Sequence, residues 1–356
     1  MAYNYAEDKK SKCRKQALEA AKDMPEFFKG YLMAKANSTE PSSLLSYTYD
    51  LISFVTWWYE YIKGELGGRS VNEMTAEEMA KVTPADINEY LFTLTGTQTN
   101  KTMARKCTAI SSLFAYMVSY GMTENNPMDK VERPHVKKDL RIIRLENDET
   151  KELIQAIQKG WDNMSEHQRK YLVHTKDRDL TIVSLLLSTG IRVSECVGLD
   201  IDDIFLRTNQ MQITRKGGKK QTLALSDEMT TMLSAYITSR LKIEPDSPKD
   251  KRALFLSTRK TRLCAASIEN IVKKYTEALQ LGKHITPHKL RKTYGTNLYT
   301  QTRDIYLVAS ALGHESVNTT TQHYVPSREE DLQDVRNMIQ LDVSLKEKED
   351  ANENKT

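Results

Sequence analysis

The chain has 356 residues, a formal net charge of +4 at pH 7 and a pI of about 8.6. Its length suits two domains with cores of their own, and 14 Gly with 9 Pro exclude a fibrous or loop-rich architecture. A globular, mostly helical protein is therefore predicted, and the small net charge gives a weak indication of an anionic partner.

The charge is unevenly distributed along the chain. From Val325 to Thr356, five Lys and Arg stand against nine Asp and Glu, so this tail carries −4 and the chain up to Tyr324 carries +8. The body of the protein is therefore distinctly basic.

Cysteine usage and hydropathy exclude secreted and membrane-bound classes. Cys13, Cys107, Cys196 and Cys264 are widely scattered, so neither a disulfide framework nor a zinc site is predicted. The opening "MAYNYAEDKKSKCRKQ" lacks the apolar core of a signal peptide, and the longest apolar run, "LTIVSLLLSTGI", is too short to span a bilayer. These features predict a cytoplasmic protein without a membrane partner.

Residues 8 to 121 predict a series of helices: "RKQALEAAKDMPEFFKGYLMA", "SSLLSYTYDLISFVTWWYEYIKG", "TPADINEYLFTLT" and "NKTMARKCTAISSLFAYMVSYG". The second has apolar residues at steps of three and four, which is typical of a helix that buries one face. Its aromatic residues Trp57, Trp58 and Tyr59 are interpreted as core rather than as a platform for stacking bases. In the fourth, Lys101, Arg105 and Lys106 precede the apolar stripe, which suits either a DNA groove or a solvated turn.

The stretch "NNPMDKVERPHVKKDLRIIRLEND" has two prolines, alternating charges and no sustained period, which indicates an interdomain linker. A new helix is predicted to begin near Asn147 or Asp148, either of which could cap it.

The second half mixes helices and strands. Gly190 is predicted to end an apolar helix in the left-handed conformation, and "MQITRKGGKKQTLALS" predicts two strands around a turn at Gly217 and Gly218. Ser226 and Ser267 are predicted helix caps.

The stretch "HITPHKLRKTYGTNLYT" starts a helix, with Thr286 as the N-cap and Pro287 at the first helical position. His288 and Arg291 are three residues apart, so both project from one face of the first turn, where the helix dipole favours an anion. A charged, solvated helix face is the alternative reading of these residues alone. The pattern favours a phosphate ligand.

Two further segments have a similar character. Arg192 lies between apolar neighbours, where it needs a partner, and Glu195 or a nearby aspartate would be sufficient. His314 follows Gly313, and Tyr324 lies ten residues further on. Alone, this second segment reads as a helix end followed by a polar helix.

Together, "TGIRVSECVGLDIDDI", "TRKGGKKQTLALS", "TPHKLRKTYGTNLY" and "LGHESVNTTTQHY" resemble the tyrosine recombinases, which include Xer-type recombinases and the integrases of phages and conjugative transposons. The resemblance covers most of residues 180 to 324, and the N-terminal helices resemble the family's core-binding domain more loosely. It implies a mainly α fold with a small β-sheet, in which a helical, SAM-like core-binding domain precedes an α+β catalytic domain. The implied ranges are 1–130 for the core-binding domain, 131–147 for the linker, 148–326 for the catalytic domain and 327–356 for a C-terminal helix and acidic tail.

The resemblance also implies a role for each matching residue. Arg192 and Arg291 would hold the scissile phosphate, whose oxygens match the guanidinium fork. Tyr324 would attack phosphorus to form a 3′-phosphotyrosine, and His288 would accept the phenol proton. Because this link stores the phosphodiester bond, neither a metal nor any other cofactor is required.

The same resemblance implies that Lys216 donates a proton to the leaving 5′-oxygen, that His314 contacts the phosphate and that Glu195 supports the site. The spacing from His314 to Tyr324 is one residue longer than in many members of the family, but no other tyrosine follows the "LGH" segment. Seven further basic residues are predicted to contact DNA: Lys101, Arg105, Lys106, Lys219, Lys220, Lys289 and Lys292.

The implied function is site-specific recombination of double-stranded DNA by a homotetramer, in integration or excision of a mobile element or in Xer-like resolution, with a possible accessory excision factor. The segment "PSREEDLQDVRNMIQLDV" is predicted to form a helix that docks on a neighbouring protomer or on its own domain. A type IB topoisomerase-like activity and a non-catalytic DNA-binding regulator are the alternatives. A metal-dependent nuclease would need an acidic cluster that the sequence lacks.

Overall fold

The computed structural model describes residues 5–136, 143–314 and 321. The chain divides into two compact units, Met1–Asp139 and Leu140–Thr356, which we call the N-terminal and C-terminal units. The domain ranges implied by the resemblance stay a prediction. The predicted C-terminal helix and acidic tail lie outside the described residues.

The described part of the N-terminal unit is helical. Its helices are α1 (Tyr5–Ala20), α2 (Glu26–Lys35), α3 (Pro41–Ile62), α4 (Ala76–Ala80), α5 (Pro84–Thr93) and α6 (Asn100–Ser119). The first predicted helix is two helices, because Pro25 lacks the amide hydrogen that a continuing helix would need and becomes the N-cap of α2.

The core of the N-terminal unit lies between α1, α3 and α6, which pack on one another. Leu51, Phe54 and Val55 on α3 are fully buried, as their helical spacing predicts. Trp58 is also buried, and its indole Nε1 donates to the carbonyl oxygen of Glu78. The aromatic cluster therefore belongs mainly to the core.

The C-terminal unit combines helices with one small sheet. Its helices are α7 (Asn147–Lys159), α8 (Glu166–Thr189), α9 (Val193–Gly198), α10 (Asp227–Arg240), α11 (Ala265–Ala278), α12 (Pro287–Thr302) and α13 (Ile305–Leu312). The described strands are β1 (Ile204–Phe205), β2 (Gln210–Thr214) and β3 (Lys220–Ala224). The predicted mainly α fold with a small sheet is confirmed.

Helix α8 is the centre of the C-terminal unit. Ile182, Val183, Leu185 and Leu186 are all fully buried, so its second half is apolar around most of its circumference. It packs against α7, α10 and α12. The left-handed Gly190, with φ of 61°, ends α8 as predicted and leads the chain into the turn that carries Arg192.

The sheet is antiparallel in the order β1-β2-β3, with Met211 opposite Leu223 and Thr214 opposite Lys220. The turn between β2 and β3 contains the predicted Gly217 and Gly218, both with φ of 81°. Only glycine adopts this backbone conformation readily, which allows the tight reversal.

Two local predictions differ from the structure, and one strand was not predicted. The cap of α7 is Glu146, one residue before the predicted pair, and its backbone amide donates to Glu149. Ser267 does not cap a helix, because α11 has Cys264 as its N-cap and Ser267 lies inside the first turn. Strand β1 was not predicted, because a two-residue strand leaves no alternation in the sequence.

Candidate active site

The side chain of Arg291 joins the ends of two helices. It is buried, and its Nη1 and Nη2 donate to the carbonyl oxygens of Gly190 and Leu312, each at 2.6 Å. These carbonyls lie at the C-terminal ends of α8 and α13, where backbone oxygens have no helical partner and carry partial negative charge. Arg291 therefore brings together the turns that lead to Arg192 and to His314.

Close packing explains the glycine that precedes Arg192. A Cβ atom on Gly190 would lie 2.3 Å from the ring of Tyr294 and 3.0 Å from Leu312. Any larger residue would push α12 and α13 away from the end of α8. Gly190 thus meets two requirements at once, the left-handed turn and the close approach of α12.

Arg192 is paired with Glu195 within the first turn of α9. Its Nη1 lies 3.0 Å from Oε1 of Glu195, and its backbone amide donates to Oε2 at 2.7 Å. The Arg192 side chain is 39% exposed, whereas that of Glu195 is 3% exposed. The buried carboxylate therefore orients a guanidinium that belongs to a partly exposed side chain.

Arg215 shares the same carboxylate and was not singled out from the sequence. Its Nη1 lies 2.9 Å from Oε2 of Glu195, its Nε donates to Gln221 at 2.7 Å and its Nη2 donates to the carbonyl oxygen of Ala311 at 3.1 Å. A buried carboxylate is costly unless it is paired, and Glu195 is paired with two arginines. No sequence pattern distinguishes Arg215 from the other basic residues that surround Gly217 and Gly218.

The two site histidines lie on the segments that Arg291 connects. His288 is exposed in the first turn of α12, and its neighbours Lys289 and Lys292 are half-buried. His314 is half-buried directly after Gly313, and its backbone amide donates to the carbonyl oxygen of Ala309 at 3.0 Å. The same turn of α12 thus buries Arg291 and exposes His288.

The hairpin carries the three lysines predicted from the sequence. Lys216 begins the turn between β2 and β3, and the structure describes its backbone. Lys219 and Lys220 follow on the exposed side of the turn. Tyr324 lies outside the described residues, so its predicted role stays a prediction.

Comparison with known proteins decides the family. The profile of the phage integrase family matches residues 143–331, which is more than half of the chain. The chain is also 30% identical over 309 residues to the tyrosine recombinase XerS of Streptococcus gordonii, an alignment that covers 78% of this chain and 85% of the relative. The chain belongs to the phage integrase family of tyrosine recombinases. Site-specific DNA recombination follows from this membership, which does not favour the topoisomerase-like or the regulatory alternative.

Solved structures of tyrosine recombinases have the same fold. The XerH recombinase bound to palindromic difH substrate, in a post-cleavage complex, has a TM-score of 0.63 at 21% identity and covers 85% of this chain and 82% of its own. The lambda integrase tetramer bound to a Holliday junction has a TM-score of 0.59 at 16% identity and covers 82% of this chain and 76% of its own.

The basic residues at the start of α6 are not equivalent in this recombinase. Lys101 is exposed, whereas the side chain of Lys106 is 10% exposed, with its Nζ 3.2 Å from the buried carboxylate of Asp50. Arg105 is exposed and pairs with the same carboxylate. Lys106 therefore stabilises the N-terminal unit, and its burial argues against the predicted DNA contact.

Tyr294 is a tyrosine close to Gly190, and its surroundings bear on whether it could be the nucleophile. Burial raises the pKa of Tyr294, whose ring packs on Gly190. A raised pKa makes a phenol harder to deprotonate, so Tyr294 is poorly suited to attack phosphorus. Its place in the structure is that of a packing residue against Gly190, Val308 and Leu312.

The described part of the chain contains no group of three or more His, Cys, Asp and Glu side chains that could hold a metal ion. None of the helices described is long and apolar enough to cross a bilayer.

Proposed function

We propose that the C-terminal unit cleaves and rejoins DNA through Tyr324, with Arg192 and Arg291 on the scissile phosphate. The observation that carries this proposal is the position of Arg291, whose guanidinium connects the turn leading to Arg192 with the turn leading to His314. Arg291 thereby holds the carbonyls of Gly190 and Leu312, which are more than 120 positions apart in the sequence, and this contact supports a shared phosphate site.

The proposed reaction conserves the number of phosphodiester bonds. The Tyr324 oxygen forms a bond to phosphorus while the bond from phosphorus to the 5′-oxygen breaks. His288 accepts the phenol proton, and Lys216 gives a proton to the leaving 5′-oxygen. Attack by a 5′-hydroxyl of a partner strand reverses both steps and completes strand exchange. His314 adds a hydrogen bond to the phosphate, and Glu195 holds Arg192.

The electrostatics of the described residues support this assignment. Negative charge accumulates on the phosphate oxygens in the transition state, and arginine remains charged at every relevant pH. Arg192 presents the exposed part of its guanidinium while Glu195 fixes its other side. A guanidinium that is already oriented needs less reorganisation when the substrate binds.

The proposed substrate is double-stranded DNA with a specific recombination site, and the proposed active assembly is a homotetramer in a cytoplasmic synapse. Its support is the XerH complex with difH substrate and the lambda integrase tetramer on a Holliday junction. The proposed DNA contacts outside the phosphate pocket are Lys101, Arg105, Lys219, Lys220, Lys289 and Lys292. Integration or excision of a mobile element, with an accessory excision factor, is the biological role proposed, and Xer-like resolution is the second candidate.

The decisive experiment uses suicide duplexes, nicked near candidate cleavage sites drawn from the DNA that flanks the gene. Wild type and Tyr324→Phe are incubated with them in EDTA and run on denaturing gels. Wild type is expected to form a covalent protein–DNA adduct that Tyr324→Phe does not form, because the variant lacks only the attacking oxygen.

Tyr306→Phe is the matched control, because Tyr306 lies on α13 with 71% of its surface exposed and is not assigned to the site. It should form the adduct as wild type does. An adduct that persists in Tyr324→Phe would place the nucleophile elsewhere, and an adduct that EDTA abolishes would contradict metal-free chemistry.

A further inference from the structure

Arg215 makes three side-chain hydrogen bonds from the hairpin, and the mechanism above does not use it. Its side chain is 9% exposed. Its three guanidinium nitrogens reach three different elements: Glu195 on α9, Gln221 on β3 and the Ala311 carbonyl near the end of α13. A planar fork with donors in fixed directions is needed to satisfy all three acceptors together.

Two of these acceptors already belong to the phosphate pocket. Glu195 is the carboxylate that orients Arg192, and the Ala311 carbonyl precedes the Leu312 carbonyl that Arg291 binds. Consecutive carbonyls at the end of α13 are therefore held by two arginines, Arg215 and Arg291. Arg215 therefore contacts both the carboxylate behind Arg192 and the end of α13, while Arg192 keeps two hydrogen bonds of its own to that carboxylate.

The fit of Arg215 against α13 is tight. A Cβ atom on Gly313 would lie 2.8 Å from Nε and 2.9 Å from Cζ of Arg215. Glycine at this position therefore allows the guanidinium to lie against the backbone next to His314. The contact leaves Arg215 little freedom to take another position.

The backbone of Arg215 closes the turn that carries Lys216. Its amide donates to the carbonyl oxygen of Lys219 at 2.7 Å, and its carbonyl oxygen accepts from the amide of Gly218 at 3.1 Å. Gly217 and Gly218 have nothing within 4 Å of their Cβ positions. The side chain of Arg215 connects this turn to Glu195 and to the end of α13.

We propose that Arg215 is a positioning residue that holds the β2–β3 turn, and with it Lys216, against the Arg192–Glu195 pair and the end of α13. This inference rests on the proposed function, in which Lys216 protonates the leaving 5′-oxygen. Without the anchor, the turn loses its fixed distance from the phosphate, and proton transfer slows while the nucleophile and the two phosphate-binding arginines remain.

The test compares two DNA substrates that differ in one atom. One suicide duplex has the ordinary 5′-oxygen at the cleavage site and the other has a bridging 5′-sulfur. A thiol has a pKa of about 8.5, so a 5′-thiolate leaves without receiving a proton and needs no general acid. Cleavage rates are measured from adduct formation for wild type, Arg215→Gln, Arg215→Lys and Lys216→Ala.

Arg215→Gln is expected to cleave the oxygen substrate about 100-fold more slowly than wild type, and to recover close to the wild-type rate on the sulfur substrate, as Lys216→Ala should. Arg215→Lys should recover only part of the cleavage rate on the oxygen substrate, because one ammonium cannot serve three acceptors in the directions of the fork.

Arg240→Gln is the matched control. Arg240 is also buried in the same unit, and it donates to the carbonyl oxygens of Ala253 and Asp250. Arg240→Gln should lower the melting temperature, and its cleavage rate relative to wild type should be the same on the oxygen and the sulfur substrate.

An equal loss on both substrates for Arg215→Gln, with Lys216→Ala rescued by sulfur, would overturn the role of Arg215 alone. Failure of Lys216→Ala to be rescued would overturn the proton donor and the positioning role together. Absence of an adduct from wild type on both substrates would overturn the proposed function as well.

Discussion

At the scale of single residues, arginines placed on backbone carbonyls organise the site. Arg291 and Arg215 bind the carbonyls of Leu312 and Ala311, and charge-assisted hydrogen bonds of this kind contribute about 1.5–3 kcal/mol each. Arg192 differs, because its partner is a side chain and 39% of its own side chain is exposed. Arg215 and Arg291 hold the backbone of the site in place.

Gly313→Ala tests the close approach of Arg215. The substitution should lower the free energy of unfolding by more than the roughly 1–2 kcal/mol of left-handed strain, because the new Cβ would also displace the guanidinium. It should also slow adduct formation. Thermal melting and the suicide-substrate assay provide the two measurements.

Gly282→Ala is the control for that prediction. Gly282 has φ of 64°, against 62° for Gly313, but nothing lies within 4 Å of its Cβ position. This variant should show the strain alone and retain the wild-type cleavage rate. Equal destabilisation by the two substitutions would show that the contact with Arg215 adds nothing to stability.

At the scale of elements, the first turn of α7 is held by one carboxylate. Glu149 accepts from the backbone amide of Glu146 at 2.6 Å and from Nζ of Lys283 at 2.6 Å. Burial tends to raise the pKa of Glu149, but the hydrogen bonds from Lys283 and from the Glu146 amide outweigh it, so the pKa is lowered overall. The folded state therefore favours the charged carboxylate.

Glu149→Gln should reduce stability at pH 7 by about 1 kcal/mol, since glutamine can still cap the helix but does not pair with Lys283. A carboxyl group with a lowered pKa stabilises the fold above its unfolded pKa of about 4.3, and this contribution is lost as the pH falls through the folded pKa. The difference in melting temperature between wild type and variant should therefore shrink as the pH falls below about 4.3 and disappear once the pH is below the lowered folded pKa.

Glu152→Gln makes the same change of charge at an exposed position of the same helix and is the control. It should leave the melting temperature almost unchanged at both pH values. A Glu149→Gln difference that is constant from pH 7 to pH 3 would contradict the electrostatic explanation.

At the scale of the whole molecule, the chain up to Tyr324 carries +8, and the residues from Val325 onward carry −4. Phosphate contacts release counterions, so DNA affinity should fall with salt in proportion to the number of cations that reach the backbone. The distribution of exposed and buried cations therefore matters more than the total charge.

Lys101→Ala should reduce the slope of log affinity against log salt concentration by about 0.9, because an exposed cation is lost from the proposed interface.

Lys106→Met is the contrasting variant. It should leave this slope unchanged and lower the free energy of unfolding by about 2 kcal/mol, because it removes a partner of buried Asp50. Fluorescence anisotropy over a salt series and chemical denaturation measure the two effects. A reduced slope in Lys106→Met would show that this lysine reaches DNA despite its burial.

Local sequence patterns predicted most of the helices and strands and the order of the site residues along the chain. The alternation around two glycines predicted the hairpin, and the apolar stripe of α3 predicted its buried face. The failures have different causes. Pro25 divides a helix for a local reason, because it lacks an amide hydrogen, and the helix that contains Ser267 begins after Cys264. The burial of Lys106 instead depends on Asp50, which is distant in the sequence.

The sequence by itself determined the family and the chemical types at the site, because the ordered segments around Arg192, His288, Arg291 and His314 are recognisable without coordinates. Only the tertiary structure decided that Arg291 binds two helix ends and that Arg215 shares Glu195 with Arg192. The physical reason is that a guanidinium donates hydrogen bonds to whichever acceptors lie close to it in three dimensions. Those acceptors come from segments up to about a hundred residues away, and no local pattern encodes their distances.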